Sequence, residues 1–123
     1  MAAAPTRDLE ISQGSDWSET FQILDELGDA IDLALISTIK GEARRFADHT
    51  TTVAFAFTFA LDIGTDIITV SVVRATTSAL TVGPTKTHPD SRFYYDYEVT
   101  FTSGVRDRIQ QGKVVVYREI TNI

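Results

Sequence analysis

The chain has 123 residues, enough for one hydrophobic core and too few for two, with 43% hydrophobic and 23% charged residues, a composition typical of a soluble globular domain. Eleven Lys and Arg against seventeen Asp and Glu give a net charge of −6, which argues against partners with phosphate backbones and against anionic membranes. There is no cysteine, so neither disulfides nor a Cys-based zinc site can hold the fold.

The opening Met1–Thr6 is small and contains proline, and residues 1–7 are expected to form a flexible arm ahead of a single domain over residues 8–123. In an oligomer such an arm can lie across a neighbour. The opening has neither the apolar core of a secretory signal nor the acid-poor composition of a transit peptide. No apolar run approaches the ~20 residues of a membrane span. A soluble protein made in the cytoplasm is expected.

Asp8–Gln13 reads as a short strand, with Leu9 and Ile11 on one side, ended by Gly14-Ser15-Asp16. Trp17–Leu27 has two readings. Asp16 followed by Glu19 resembles a helix cap with a capping box, and Phe21, Leu24 and Gly28 suit a helix and its C-terminal glycine. Trp17, Phe21 and Ile23 opposed to Ser18, Thr20 and Gln22 instead suit a strand.

After a turn at Glu26–Asp29 and a restart at Ile31-Asp32-Leu33, Ser37–Phe46 reads as a strand in which Gly41 marks a bulge or a close neighbour. Thr52–Leu61 is a regular strand. Val53, Phe55, Phe57, Phe59 and Leu61 fill one face, and Thr52, Ala54, Ala56, Thr58 and Ala60 form a second face with no charge. A solvated strand face usually carries some Lys or Glu, so this smooth face is a candidate contact surface for a neighbouring subunit. Asp62–Asp66 is a turn, Ile67–Val73 a strand with two fairly apolar sides, Arg74–Leu80 a turn or single helical turn, and Thr81–Asp90 a loop with two prolines.

Ser91–Glu119 reads as a long hairpin. Phe93, Tyr95, Tyr97, Val99 and Phe101 alternate with Tyr94, Asp96, Glu98 and Thr100. A three-residue loop at Thr102-Ser103-Gly104 puts Phe101 opposite Val105, Tyr97 opposite Ile109 and Glu98 opposite Arg108, leaving Asp107 opposite Val99 as a misfit. Gly112 is expected to mark a bulge that produces the unbroken Val114-Val115-Val116 run. About seven strands with no long helix predict an all-β fold, a small, mostly antiparallel β-sandwich with at most one short helical turn.

The ending of the chain resembles a β-sandwich module of tailed phages, similar to the N-terminal domain of upper baseplate and receptor-binding proteins. The matching residues are Tyr95, Asp96, Glu98, Gly104, Arg108, Ile109, Gly112, Val114, Val116, Glu119 and Thr121. At the other end, Ile11, Gln13, Gly14, Phe21, Gly28, Ala30, Ile31, Asp32 and Leu33 match the opening of the same module. The resemblance runs from about Asp8 to Thr121 and rests on order and spacing. It implies a strand at Trp17–Leu27.

The residues that could support chemistry fall into familiar structural roles. His49 and His88 occupy separate loops, and Asp62, Gly64 and Asp66 do not complete a calcium loop. Asp96 and Glu98, ~7 Å apart on one strand face, have Arg106 and Arg108 to neutralise them across the hairpin. There is no nucleophile elbow, phosphate loop or dinucleotide motif. Trp17, Tyr95, Tyr97 and Tyr117 suit core and rim positions, and Tyr94 points outward. No catalytic residue, metal or cofactor is expected.

The resemblance implies a virion protein of the tail or baseplate, an adaptor joining fibre or receptor-binding components to the tail as a trimer or hexamer, without nucleic-acid or membrane partners. The related proteins continue into a fibre, so a chain ending at Ile123 implies a free-standing adaptor. A capsid decoration or neck protein is the alternative within the same class. A carbohydrate-binding module for the host surface is the alternative outside it.

Overall fold

A computed structural model describes residues 5–47, 50–85 and 88–118. Seven strands run β1 (Leu9–Ser12), β2 (Trp17–Phe21), β3 (Ile36–Arg44), β4 (Val53–Asp62), β5 (Ile67–Val72), β6 (Arg92–Phe101) and β7 (Arg106–Tyr117). Among the described residues helical structure is confined to α1 (Arg74–Ser78) and two 3₁₀ turns at Leu33–Leu35 and Pro89–Ser91. The all-β class expected from periodicity is the observed one, and Trp17–Phe21 is a strand.

The spatial order is β1-β7-β6-β3-β4-β5-β2, antiparallel except for the parallel β1–β7 pair. Strand β4 makes this one sheet into two layers. Its first half pairs with β3 (Phe57 opposite Gly41), and its second half pairs with β5 (Thr58 opposite Ser71). The sheet folds over at this change of partner, which brings β2 across from β6. Phe21 then stacks on Tyr97 at 5.8 Å between ring centroids, and Trp17 meets Phe57 edge-on at 5.9 Å. Phe57 also touches Phe55, Tyr95 and Tyr97, so an aromatic chain runs through the middle of the sandwich. Gly41 marks a close neighbour: a Cβ there would lie 2.7 Å from Tyr97 Cδ1.

The hairpin closes through the expected three-residue loop. Gly104 N–H donates to the Phe101 carbonyl and Phe101 N–H to the Val105 carbonyl, each at 2.8 Å. Glu98 faces Arg108 and Val99 faces Asp107 as expected, but Tyr97 faces Gln110, not Ile109. The register shift therefore falls beside Ile109, three residues before Gly112. Ile109 packs against both parts of the core, and that burial accounts for the extra residue. Gly112 serves a different purpose. A Cβ there would come within 2.3 Å of the Arg7 carbonyl oxygen, because the chain ahead of β1 crosses at that point.

At that crossing the last residues of the expected arm, 5–7, pair with β7. Thr6 bridges Gln111, Arg7 N–H donates to the Gln111 carbonyl at 2.8 Å, and Gln111 N–H donates to the Pro5 carbonyl at 3.1 Å. Residues 1–4 lie outside the described residues.

Candidate interaction surfaces

The outer faces of the two layers differ in chemistry. On the β3–β6–β7 layer many of the outward side chains are charged. Arg108 Nε lies 3.1 Å from Asp96 Oδ2, and Glu42 lies 3.4 Å from Arg44 and 3.6 Å from Lys40. Asp96 is thus neutralised across the hairpin by Arg108, while Arg106 stays exposed. Tyr94 sits on this face, opposite Arg44 on one side and Lys113 on the other. With Phe46, which is 68% exposed, it lines a concavity of about 540 Å³. Among the described residues Tyr94 makes no ring contact, because Tyr95 and Tyr97 point into the core and Trp17 packs on Phe57.

The outer face of the β4–β5–β2 layer carries no charge along two rows. Thr58, Ser71 and Ser18 form one row, and Ala60, Thr69 and Thr20 form the next. Of the five residues expected to form a smooth face, only Thr58 and Ala60 belong to this field. Thr52 precedes the strand, Ala54 is half-buried against the core, and Ala56 stands opposite Glu42 at the border of the charged layer. Ser18, Thr20, Thr69 and Ser71 were visible in the sequence as alternating positions. Their adjacency to Thr58 and Ala60 follows from the strand order.

Gln13, Gly14 and Asp32, singled out in the sequence, do structural work. Gln13 Nε2 donates to the Leu80 carbonyl at 2.8 Å, and Gly14 N–H, with φ 83°, donates to Thr77 Oγ1 at 3.1 Å. The buried Thr77 hydroxyl donates in turn to the Ser15 carbonyl at 2.9 Å. Asp16 is a helix cap, but for a distant helix: its Oδ1 accepts from Arg74 N–H at 2.6 Å, at the start of α1. Asp32 caps its own 3₁₀ turn, accepting from Ala34 N–H at 2.9 Å and leading Leu33 into the core. Glu119 and Thr121 lie outside the described residues.

The remaining polar candidates also hold loops. Asp62 accepts from Gly64 N–H within its turn, and Asp66, at φ 57°, accepts from Leu33 N–H at 3.2 Å. His88 Nδ1 accepts from Asp90 N–H at 3.1 Å and so is occupied as a cap, while His49 lies outside the described residues. Arg45 donates to the carbonyls of Thr81 and Asp90 and lies 4.2 Å over the Phe93 ring, pinning the long loop to the sheet. No group of three or more His, Cys, Asp or Glu able to hold a metal occurs among the described residues.

No protein-family model matches the chain, and no curated protein matches it in sequence. Among solved structures it is similar to a mutant of the SrpA adhesin from Streptococcus sanguinis, with a TM-score of 0.54 at 12% identity. The match covers 95% of this chain and 56% of that one. At that identity the likeness concerns the fold alone: an all-β sandwich.

Proposed function

We propose that the protein is a structural component of a tailed-phage virion, an adaptor of the tail or baseplate that joins fibre or receptor-binding parts through its own surfaces. The observation that carries this reading is the uncharged two-row face of β4, β5 and β2, on a protein of net charge −6 whose other outer face is studded with ion pairs. A flat Ser/Thr/Ala field costs little to desolvate and lets another backbone approach closely. In a symmetric assembly such modest contacts reinforce one another. The motif order from Ile11 to Val116, in which Gln13-Gly14 and Asp32 act as structural ties, supports the same reading.

The test is quantitative mass spectrometry of purified particles, with tails separated from heads. The adaptor reading expects the chain in the tail fraction at a copy number that is a multiple of three or six. Recovery with heads at on the order of hundreds of copies would make it a decoration protein. Thr58→Glu, placed in the middle of the uncharged field, should leave the protein folded and exclude it from particles. Normal incorporation of that variant would remove the face from the argument.

A second reading, glycan binding, is favoured by the Phe46 and Tyr94 concavity. It expects binding to host-surface glycans that is lost in Phe46→Ala and Tyr94→Ala, with particle incorporation unchanged.

A further inference from the structure

The sandwich does not close completely. On the side of β7 away from β6, pairing covers Val114–Tyr117 and ends at Gln111. Among the described residues no strand pairs with Arg106–Gln110 on that side. Among the described residues strand β2 pairs with β5 alone, so its other edge has no strand partner there either. Farther along, Arg7 and Glu19 form an ion pair that holds β2 against the chain leading into β1. Beyond that pair the free edge of β7 and the segment after β2, whose Ile23–Asp25 stretch pairs with Asp29–Ile31, wall a groove of about 600 Å³.

One wall is Phe21, Ile23 and Leu24, and the other is Asp107, Ile109 and Gln110, with Pro5 also lining the groove. The groove is apolar inside: Ile23 and Ile109 are half-buried against the core, and Leu24 is 56% exposed. Its rim is acidic. Asp25, Glu26 and Asp107 have no cation within ion-pair distance among the described residues, and the nearby Arg108 is engaged by Asp96 at 3.1 Å.

We propose that this seam is a strand-addition site, which takes an extended segment of a different polypeptide with apolar side chains at alternate positions and Lys or Arg between them. Free strand edges have backbone donors and acceptors that an added strand satisfies, while alternate side chains fill the apolar floor. The five unpaired residues of β7 set the length at about five residues, ~17 Å at strand rise. The charge selects the partner. A second copy of this chain would bring the same acidic rim and a net charge of −6, whereas a basic segment meets Glu26 and Asp107, and beside them Asp25, whose Oδ1 also accepts from Leu27 and Asp29 N–H, none of the three with a cation partner among the described residues. The site is separate from the β4–β5–β2 face and stands whether or not the virion reading holds.

Three synthetic heptapeptides test it on the full chain: alternating Val with Lys and Thr, the same with Glu for Lys, and the first with alternate backbone nitrogens methylated. The basic peptide should bind and slow amide exchange on both walls, at Ile23 and within Asp107–Gln110. The acidic and the methylated peptides should bind at least about tenfold more weakly. The rim double variant Glu26→Lys with Asp107→Lys, at an exposed and a half-buried position, should reverse the preference towards the acidic peptide. The proposal fails if the basic peptide does not bind, if the methylated peptide binds equally, or if rim reversal leaves the preference unchanged. It also fails if the free protein dimerises with the seam amides already protected, since a second copy is then the occupant.

Discussion

Gly14 and Thr77, 63 positions apart, are joined by a hydrogen bond from the Gly14 N–H to Thr77 Oγ1 at 3.1 Å. The same hydroxyl, wholly buried, donates to the Ser15 carbonyl. One side chain thus satisfies the turn between β1 and β2, the two edge strands of the folded sheet. Thr77→Val keeps the shape and removes both bonds, stranding two backbone groups. We expect a loss of ~1–3 kcal/mol in urea unfolding, with Thr77→Ser recovering most of it. A Thr77→Val variant as stable as the parent would show that water takes over the hydroxyl's role.

Tyr95 and Tyr97 are adjacent on the inner face of β6 but differ in how their hydroxyls are satisfied. Tyr95 donates to the Arg7 carbonyl and accepts from Gln110 Nε2 at 2.8 Å. Tyr97 is fully buried, and its hydroxyl has no hydrogen-bond partner among the described residues. Tyr95→Phe should therefore cost ~1–3 kcal/mol, whereas Tyr97→Phe should be neutral or stabilise by up to ~1 kcal/mol, because it removes an unsatisfied buried group. Equal destabilisation by the two would contradict this difference.

Burial raises the pKa of both phenols above the ordinary 10.0, Tyr97 far more than Tyr95. A raised folded-state pKa favours the neutral form. The associated stability is intact below pH 10 and is lost as pH rises above it, where the unfolded chain ionises first. Each buried phenol contributes a slope of up to ~1.4 kcal/mol per pH unit there. Unfolding curves between pH 9 and 11.5 should steepen accordingly, and Tyr97→Phe should flatten them. A variant with the parent's slope would refute the assignment.

Where side-chain periodicity decides the outcome, the sequence was sufficient. The alternation from Phe93 to Phe101 and the glycine at 104 specify strand, loop and the Glu98–Arg108 pairing, all of which the structure contains. Local pattern alone left Trp17–Phe21 open because Asp16 does have the chemistry of a helix cap. It caps α1, 58 positions away, and no local window contains that partner. The bulge at Ile109 was misplaced at Gly112 because a glycine in a strand has two uses, and the Arg7 carbonyl that explains this one belongs to a chain crossing more than a hundred positions earlier. The candidate face was legible only as the β4 stripe. Its width depends on β4 changing partners midway, which is a property of the sheet and not of any single strand.

The Asp16 cap can be tested directly. Arg74 N–H donates to Asp16 Oδ1 at 2.6 Å, and no side chain of α1 caps it. Asp16→Ala should cost ~0.5–2 kcal/mol and speed amide exchange through Arg74–Ser78, while Asp16→Asn, which retains an acceptor, should cost less. If exchange in α1 is unchanged in Asp16→Ala, the helix does not depend on the contact.

Gly112→Ala separates a steric constraint from a conformational one. The added methyl meets the Arg7 carbonyl oxygen at 2.3 Å, a backbone atom that can yield only if the whole Pro5–Asp8 segment shifts off β7. We expect destabilisation of roughly 1–3 kcal/mol and faster exchange at the Arg7 and Gln111 amides. A background truncated before Asp8 removes the obstructing carbonyl, although it also lowers stability by losing the Gln111 pairing. In that background Gly112→Ala should cost much less than in the full chain. If its cost is the same in both, the penalty comes from the backbone angles of Gly112 itself, and the crossing segment plays no part in holding glycine at that position.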